Sequence, residues 1–280
     1  MWPPAPQPSA PVETAQLFPE LHAALMALLA DLAPDDWLRP TACAGWSVHD
    51  VALHLLGGQL GNLSRRRDGF SRLAPAPGEG VGPFVNRIND EWMRAGRRIS
   101  PAVLRDLLAV TGPQLAAYFA SLDPSAIGGA VSWAGPEPAP VWLDVAREYS
   151  EWWHHQQHIR DAVGRPGLTE PRYLGPAIAT FVHALPHAFR EVDAPEGAAV
   201  SLFVSPPDAG GWWTVRREDG RWRLYAGGPW KFRQADVWLD ADVAWRLFTR
   251  GLDPAAARAS AKIEGDPRLA EAVLHTVAII

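Results

Sequence analysis

Residues 151–161 read EWWHHQQHIRD and place three of the chain's nine histidines, with one glutamate, within two helical turns. Imidazole and carboxylate are the side chains that hold divalent cations and move protons near neutral pH. On a helix advancing about 100° per residue, Glu151, His155 and His158 fall within roughly 60° of one another. An i, i+4 pair such as Glu151 and His155 can chelate one ion from a single turn. Left buried without partners, these groups would destabilise the fold by several kcal/mol, so something must satisfy them.

A third ligand is needed, and the segment GWSVHDVALHLLGG (45–58) supplies a candidate. Ser47 followed three residues later by Asp50 forms a capping-box pattern that starts a helix. His54 comes one turn after Asp50, with Gly57 and Gly58 expected to leave room beside its ring. His49 lies on another face and is expected to point away. Two histidines and a carboxylate make a zinc set that keeps one position open for water or substrate. Plainer readings stand beside this one. His54 alone would suit a satisfied core histidine, and Glu151 with His155 a helix-surface pair worth a few tenths of a kcal/mol. Trp152 and Trp153 would suit packing. His154 could replace His155, because i, i+3 spacing also permits chelation.

These side chains need helices to position them. Apolar residues recur at three- and four-residue steps over 17–32, 47–63, 83–96, 101–122 and 140–164, separated by breakers such as APAPGEGVGP and GPEPAP. The reading is a helical bundle over 13–190. Val141, Val145, Trp152, Ile159 and Val163 form an apolar stripe next to the polar face, which turns that face toward the bundle interior. After Pro195 the period changes to two. AAVSLFV reads as a strand, and WWTVRR and RWRLYA, joined by EDG, as a hairpin. ADVWL and AKIEG are strand-like and lead into the helix-like ADVAWRLFTRG and DPRLAEAVLHTV. A smaller α+β domain is therefore expected over 195–280. Residues 1–12, rich in proline, read as an extended, poorly ordered leader without the basic start and apolar stretch of a signal peptide.

The whole-chain values bound the partners. A net charge of −5 and a pI near 6.0 give no basic field for nucleic acid or an anionic membrane. The run SRRRD (64–68) reads as a solvated helix end. No stretch approaches ~18 uninterrupted apolar residues, so no membrane span is expected. The single cysteine, Cys43, excludes an internal disulfide framework and points to a reducing compartment, the cytoplasm by default. It reads as a packing residue near the first motif. A small-molecule partner and a monomer are the remaining expectations.

Two segments carry a family resemblance. PTACAGWSVHDVALHLLGG resembles the opening motif of the mycothiol-dependent maleylpyruvate isomerases and related DinB-like enzymes, with its Gly-Trp pair, helix-starting Asp and His followed by Leu. EWWHHQQHIRDAVGRP resembles the later motif of the same family. The resemblance implies a DinB-like four-helix bundle followed by a sterol-carrier-like α+β domain. It places the family's metal ligands on His54, Glu151 and His155, and puts His158 where the family often has Asp, which leaves His158 open as a partner that orients a ligand, a general base or an extra ligand. WRLFTRG resembles a segment bearing a functional arginine, here Arg250, for which a solvated helix-end arginine is the plainer reading.

The resemblance further implies a divalent metal, zinc first, and mycothiol as thiol cosubstrate of an isomerase or S-transferase acting on a small electrophile. His158 would then shuttle a proton, and Arg250 would neutralise a carboxylate or enolate. Two other classes remain open. One is a metal-dependent hydrolase or lyase that uses bound water, and the other a non-catalytic, metal-stabilised binding or regulatory module.

Overall fold

The computed structural model describes residues 6–228 and 230–279, so residues 1–5, the start of the expected leader, lie outside the described residues. The chain packs into two compact units, and each is discontinuous in sequence. Thr14–Leu122 and Glu151–Leu168 form the helical unit; Asp123–Ser150 and the chain from Thr169 onward, with the described part of residues 6–13, form the sheet unit.

The helical unit contains α1 (Phe18–Ala30), α2 (Val48–Asn62), α3 (Val81–Gly96), α4 (Pro101–Ala120) and the second half of α5 (Val141–Val163). Helix α4 packs against α1 and α2, and α3 packs against α2. Phe18, Leu25, Leu56, Leu108, Leu115 and Ile159 are fully buried in its core, each contributing about 1.5–3 kcal/mol by leaving water. Phe18 also meets Trp152 edge-on, with ring centroids 5.1 Å apart.

The start of α2 shows how the sequence sets the local fold. The Ser47 backbone N–H and hydroxyl both donate to Asp50 at 3.0 Å, and Arg97 donates to the same carboxylate at 2.8 Å. The capping box thus fixes the first turn of α2 and ties it to the residue that follows α3. Further along, Gly57 differs from its expected role. A Cβ there would sit 2.7 Å from the Trp92 indole nitrogen, which donates to the Leu53 carbonyl at 2.7 Å. The missing side chain makes room for Trp92 rather than for the His54 ring; only Gly58 has open space beside it.

The C-terminal half of α5 is held by buried amides. Gln156 donates to the Leu21 carbonyl at 3.0 Å. Gln157 both donates to the Leu168 carbonyl at 3.1 Å and accepts from the Leu168 N–H at 3.0 Å. Trp153 donates to that same carbonyl at 2.9 Å. These bonds fix the rotation of the helix about its axis, and so the direction in which Glu151, His155 and His158 point.

In the sheet unit the strands are β1 (Gln7–Pro8), β2 (Ile127–Ala130), β3 (Pro138–Pro140), β4 (Ala199–Ser205), β5 (Gly211–Glu218), β6 (Arg221–Ala226), β7 (Ala235–Asp240) and β8 (Lys262–Gly265). Six of them form one sheet in the order β1-β6-β5-β4-β7-β8; β4 and β7 are parallel and the other pairs antiparallel. The EDG turn closes β5 onto β6 with Asp219 at φ 52° and Gly220 at φ 74°, the left-handed pair that a two-residue hairpin requires. Helices α6 (Pro171–Phe181), α7 (Leu185–Ala188), α8 (Ala241–Phe248), α9 (Pro254–Ser260) and α10 (Pro267–Leu274) complete the unit.

Three features differ from the linear reading of the sequence. Gln7 and Pro8, placed in an extended leader, pair with Ala226 and Tyr225. Residues 123–150, read with the bundle, pack in the sheet unit, where β2 and β3 form a small ribbon and the Tyr149 hydroxyl donates to the Tyr173 carbonyl. The boundary is therefore two excursions of the chain rather than one cut near residue 190. No helix among the described residues is long and apolar enough to cross a membrane.

Candidate metal centre

His54 projects from the middle of α2, and Glu151 and His155 from one turn of α5. One ligating atom from each lies within 4.8 Å of the other two. Nε2 of His155 is 3.3 Å from Oε2 of Glu151, and Nε2 of His54 is 3.9 Å from the same oxygen. Two donors bound ~2.0–2.1 Å from a tetrahedral ion lie about 3.3 Å apart. The Glu151–His155 spacing already meets this value, and the His54 contact exceeds it by a shift that side-chain rotation covers. The donor set fits a divalent cation.

The electrostatics suit the same role. Burial alone would raise the Glu151 carboxyl, but hydrogen bonds from His155 and His54, with the charges of His154 and His155, outweigh it and hold the group well below the usual carboxylate range. Burial pushes His155 down to about 4, against the opposing hydrogen bond of Glu151 and with the aid of repulsion from His54 and His158. Near neutral pH the centre therefore offers an ionised carboxylate and a neutral imidazole, the protonation states a cation needs.

Other aromatic and imidazole groups surround it. The Trp46 ring lies 5.0 Å from that of His54. The His154 ring lies 4.0 Å from that of His155, tilted by 38°, and meets that of His158 edge-on at 4.9 Å. His49 is engaged elsewhere, with its Nε2 2.8 Å from the Ile99 carbonyl and its ring against Trp37.

Cys43 departs from its expected role as simple packing. Its Sγ lies 3.1 Å from Nδ1 of His158. Burial pushes the Cys43 thiol up to about 11; a hydrogen bond to Thr41 opposes this and the charge of Glu151 reinforces it. The approach joins residues 115 positions apart, and no local periodicity in the sequence reports it.

Arg250 belongs to the sheet unit. It follows α8 in the left-handed region, at φ 60°, and lines a cavity of about 220 Å³ with Arg190, His187 and His275.

Residues 18–160 match the family model described as the mycothiol maleylpyruvate isomerase N-terminal domain, and the chain belongs to that family. A crystal structure of the mycothiol-dependent maleylpyruvate isomerase shares the fold, with a TM-score of 0.52 and 13% sequence identity over 83% of this chain and 86% of that one. A histidine-to-alanine mutant of that isomerase aligns over the same shares with 13% identity and a TM-score of 0.49. No curated protein matches the chain.

Proposed function

We propose that this protein is a divalent-metal-dependent, mycothiol-dependent isomerase or S-transferase acting on a small electrophile, as maleylpyruvate isomerases do. The observation that carries the reading is that His54, Glu151 and His155 bring one ligating atom each within 4.8 Å of one another, inside the segment that matches the family. When bound, the cation, zinc in the first instance, supplies the charge that keeps the cosubstrate sulfur a thiolate near neutral pH.

The chain's own residues do the rest. Glu151 neutralises half of the dication's charge, and His54 and His155 donate neutral lone pairs. With three protein ligands, one position stays open to the thiol. Trp46, beside the His54 ring, is assigned to limit water on that side. In the isomerase reaction the thiol sulfur adds to a conjugated cis double bond, the resulting single bond rotates, and elimination returns the thiol and the trans product. His158 is assigned to hold and return the proton exchanged in these two steps. Arg250 is assigned to neutralise a substrate carboxylate or developing enolate. We also assign the sheet unit a sterol-carrier-like character and the protein a cytoplasmic location.

The test uses cobalt-substituted protein. Mycothiol should alter the visible spectrum of the cobalt, and cis-to-trans conversion of maleylpyruvate, followed in the ultraviolet, should require mycothiol. An unchanged cobalt spectrum together with thiol-independent hydrolysis would replace this reading by a water-activating enzyme.

A further inference from the structure

A second set of donor atoms adjoins the first. Cys43, His155 and His158 each place a ligating atom within 4.8 Å of the other two, and His155 is common to both sets. The side chain of His155 is 8% exposed, and its Nδ1 has no hydrogen-bond partner among the described residues. Leaving such a nitrogen unpaired costs about 1–3 kcal/mol. A ligand at that nitrogen would remove that cost.

Cys43 is held in place by its backbone. The Thr41 N–H donates to the Trp46 carbonyl at 3.0 Å, and the Trp46 N–H donates to the Cys43 carbonyl at 2.9 Å. The Thr41 hydroxyl donates to the Trp46 carbonyl at 2.9 Å and accepts from the Cys43 N–H at 3.2 Å. Gly45, at φ 77°, supplies the left-handed residue that closes this turn. The sulfur is thus presented to His158 by a fixed loop.

We propose that Cys43, His155 and His158 form an alternative, thiolate-containing ligand set for a soft divalent cation, competing through His155 with the His54–Glu151–His155 set. The inference rests on the proposed metal centre only through that shared histidine; its other two donors are independent of His54 and Glu151. One imidazole serves two cations only by losing both ring protons, so the two sets compete for a single ion. Each set offers one anion and two neutral imidazoles, which leaves the choice to softness: thiolate favours thiophilic ions, and carboxylate favours harder ones. On binding, the Cys43 S–H bond breaks, a sulfur–metal bond forms, and the proton leaves to solvent. With the ion so held, the protein's own sulfur is its thiolate ligand, and which cation is present decides which three side chains hold it.

The test titrates metal-free, full-length protein separately with cadmium and with manganese. Cadmium should give the ultraviolet thiolate-to-metal charge-transfer band, which here can come only from Cys43, the chain's single cysteine. The band should persist in Glu151→Gln and disappear in Cys43→Ser, and His158→Gln should weaken it at least ~10-fold. Manganese, followed by paramagnetic resonance, should bind wild type and Cys43→Ser alike and bind Glu151→Gln at least ~10-fold more weakly. Cadmium bound without the band, or a band that needs Glu151, would overturn the inference; in the second case Cys43 would be a fourth ligand of the first set. Manganese binding indifferent to Glu151→Gln, with the cadmium band intact, would remove the first set and leave this one standing.

Discussion

Replacing Asp50 tests the link between the capping box and the bundle that carries His54. Asp50→Asn keeps the side chain's shape and its acceptor for the Ser47 N–H but removes the charge facing Arg97. A hydrogen bond to a charged group contributes about 1.5–3 kcal/mol, and an exposed ion pair about 0–1 kcal/mol. The Asp50 side chain is 8% exposed but that of Arg97 is 54% exposed, so we take a value between these ranges, about 1 kcal/mol at pH 7. Asp50→Ala also removes the acceptor for the Ser47 N–H, adding about 1 kcal/mol.

The charge-dependent part carries a pH signature. Burial raises the Asp50 carboxyl, but bonds from Arg97 and Ser47 outweigh it and hold the group below its ordinary value. The folded pKa thus lies below the unfolded value of ~3.9. The stabilisation is fully present above ~3.9 and is lost as pH falls through the folded pKa. Urea unfolding followed by the helical circular dichroism signal should show the wild-type-to-Asn gap at pH 7 and its disappearance in acid, while the Asn-to-Ala gap persists. An Asp50→Asn protein as stable as wild type at pH 7, or a gap unchanged in acid, would refute the reasoning.

Two further predictions use single positions. Gly57→Ala places a Cβ against the Trp92 ring and should lower stability by about 1–3 kcal/mol, whereas Gly58→Ala, with open space beside it, should raise it by up to about 1 kcal/mol; thermal melts of the pair distinguish packing from propensity. In metal-free protein, alkylation of Cys43 should accelerate with pH toward its raised value of about 11. A rate that levels off near pH 8–9, the range of an ordinary thiol, would contradict the burial assigned to it.

Local rules made part of this molecule readable before its structure. The Ser47–Asp50 box marks where α2 starts, and with helical periodicity it sets the face on which His54 lies. The spacing of Glu151 and His155 is one helical turn, so their proximity follows once that segment is helical. The β5–β6 hairpin follows from the period of two and the EDG turn. What escaped is non-local. Cys43 meets His158 across 115 positions through a loop whose shape depends on Thr41, Gly45 and Trp46. Trp92 fills the space at Gly57 from a different helix. Gln7–Pro8, too short to show a period, becomes a strand only because β6 has an edge to offer.

The central claim is that His54, Glu151 and His155 hold one divalent cation. Its most direct test is the metal content of purified protein, by mass spectrometry, for wild type, His54→Ala and Glu151→Gln after reconstitution with zinc and dialysis. To keep zinc off the alternative set, each protein is also measured in a Cys43→Ser background. The account predicts about one ion per chain with all three ligands present and, in the Cys43→Ser background, less than ~0.1 when either is replaced. Wild type that retains no metal after reconstitution, or variants that retain as much as wild type in the Cys43→Ser background, would contradict it.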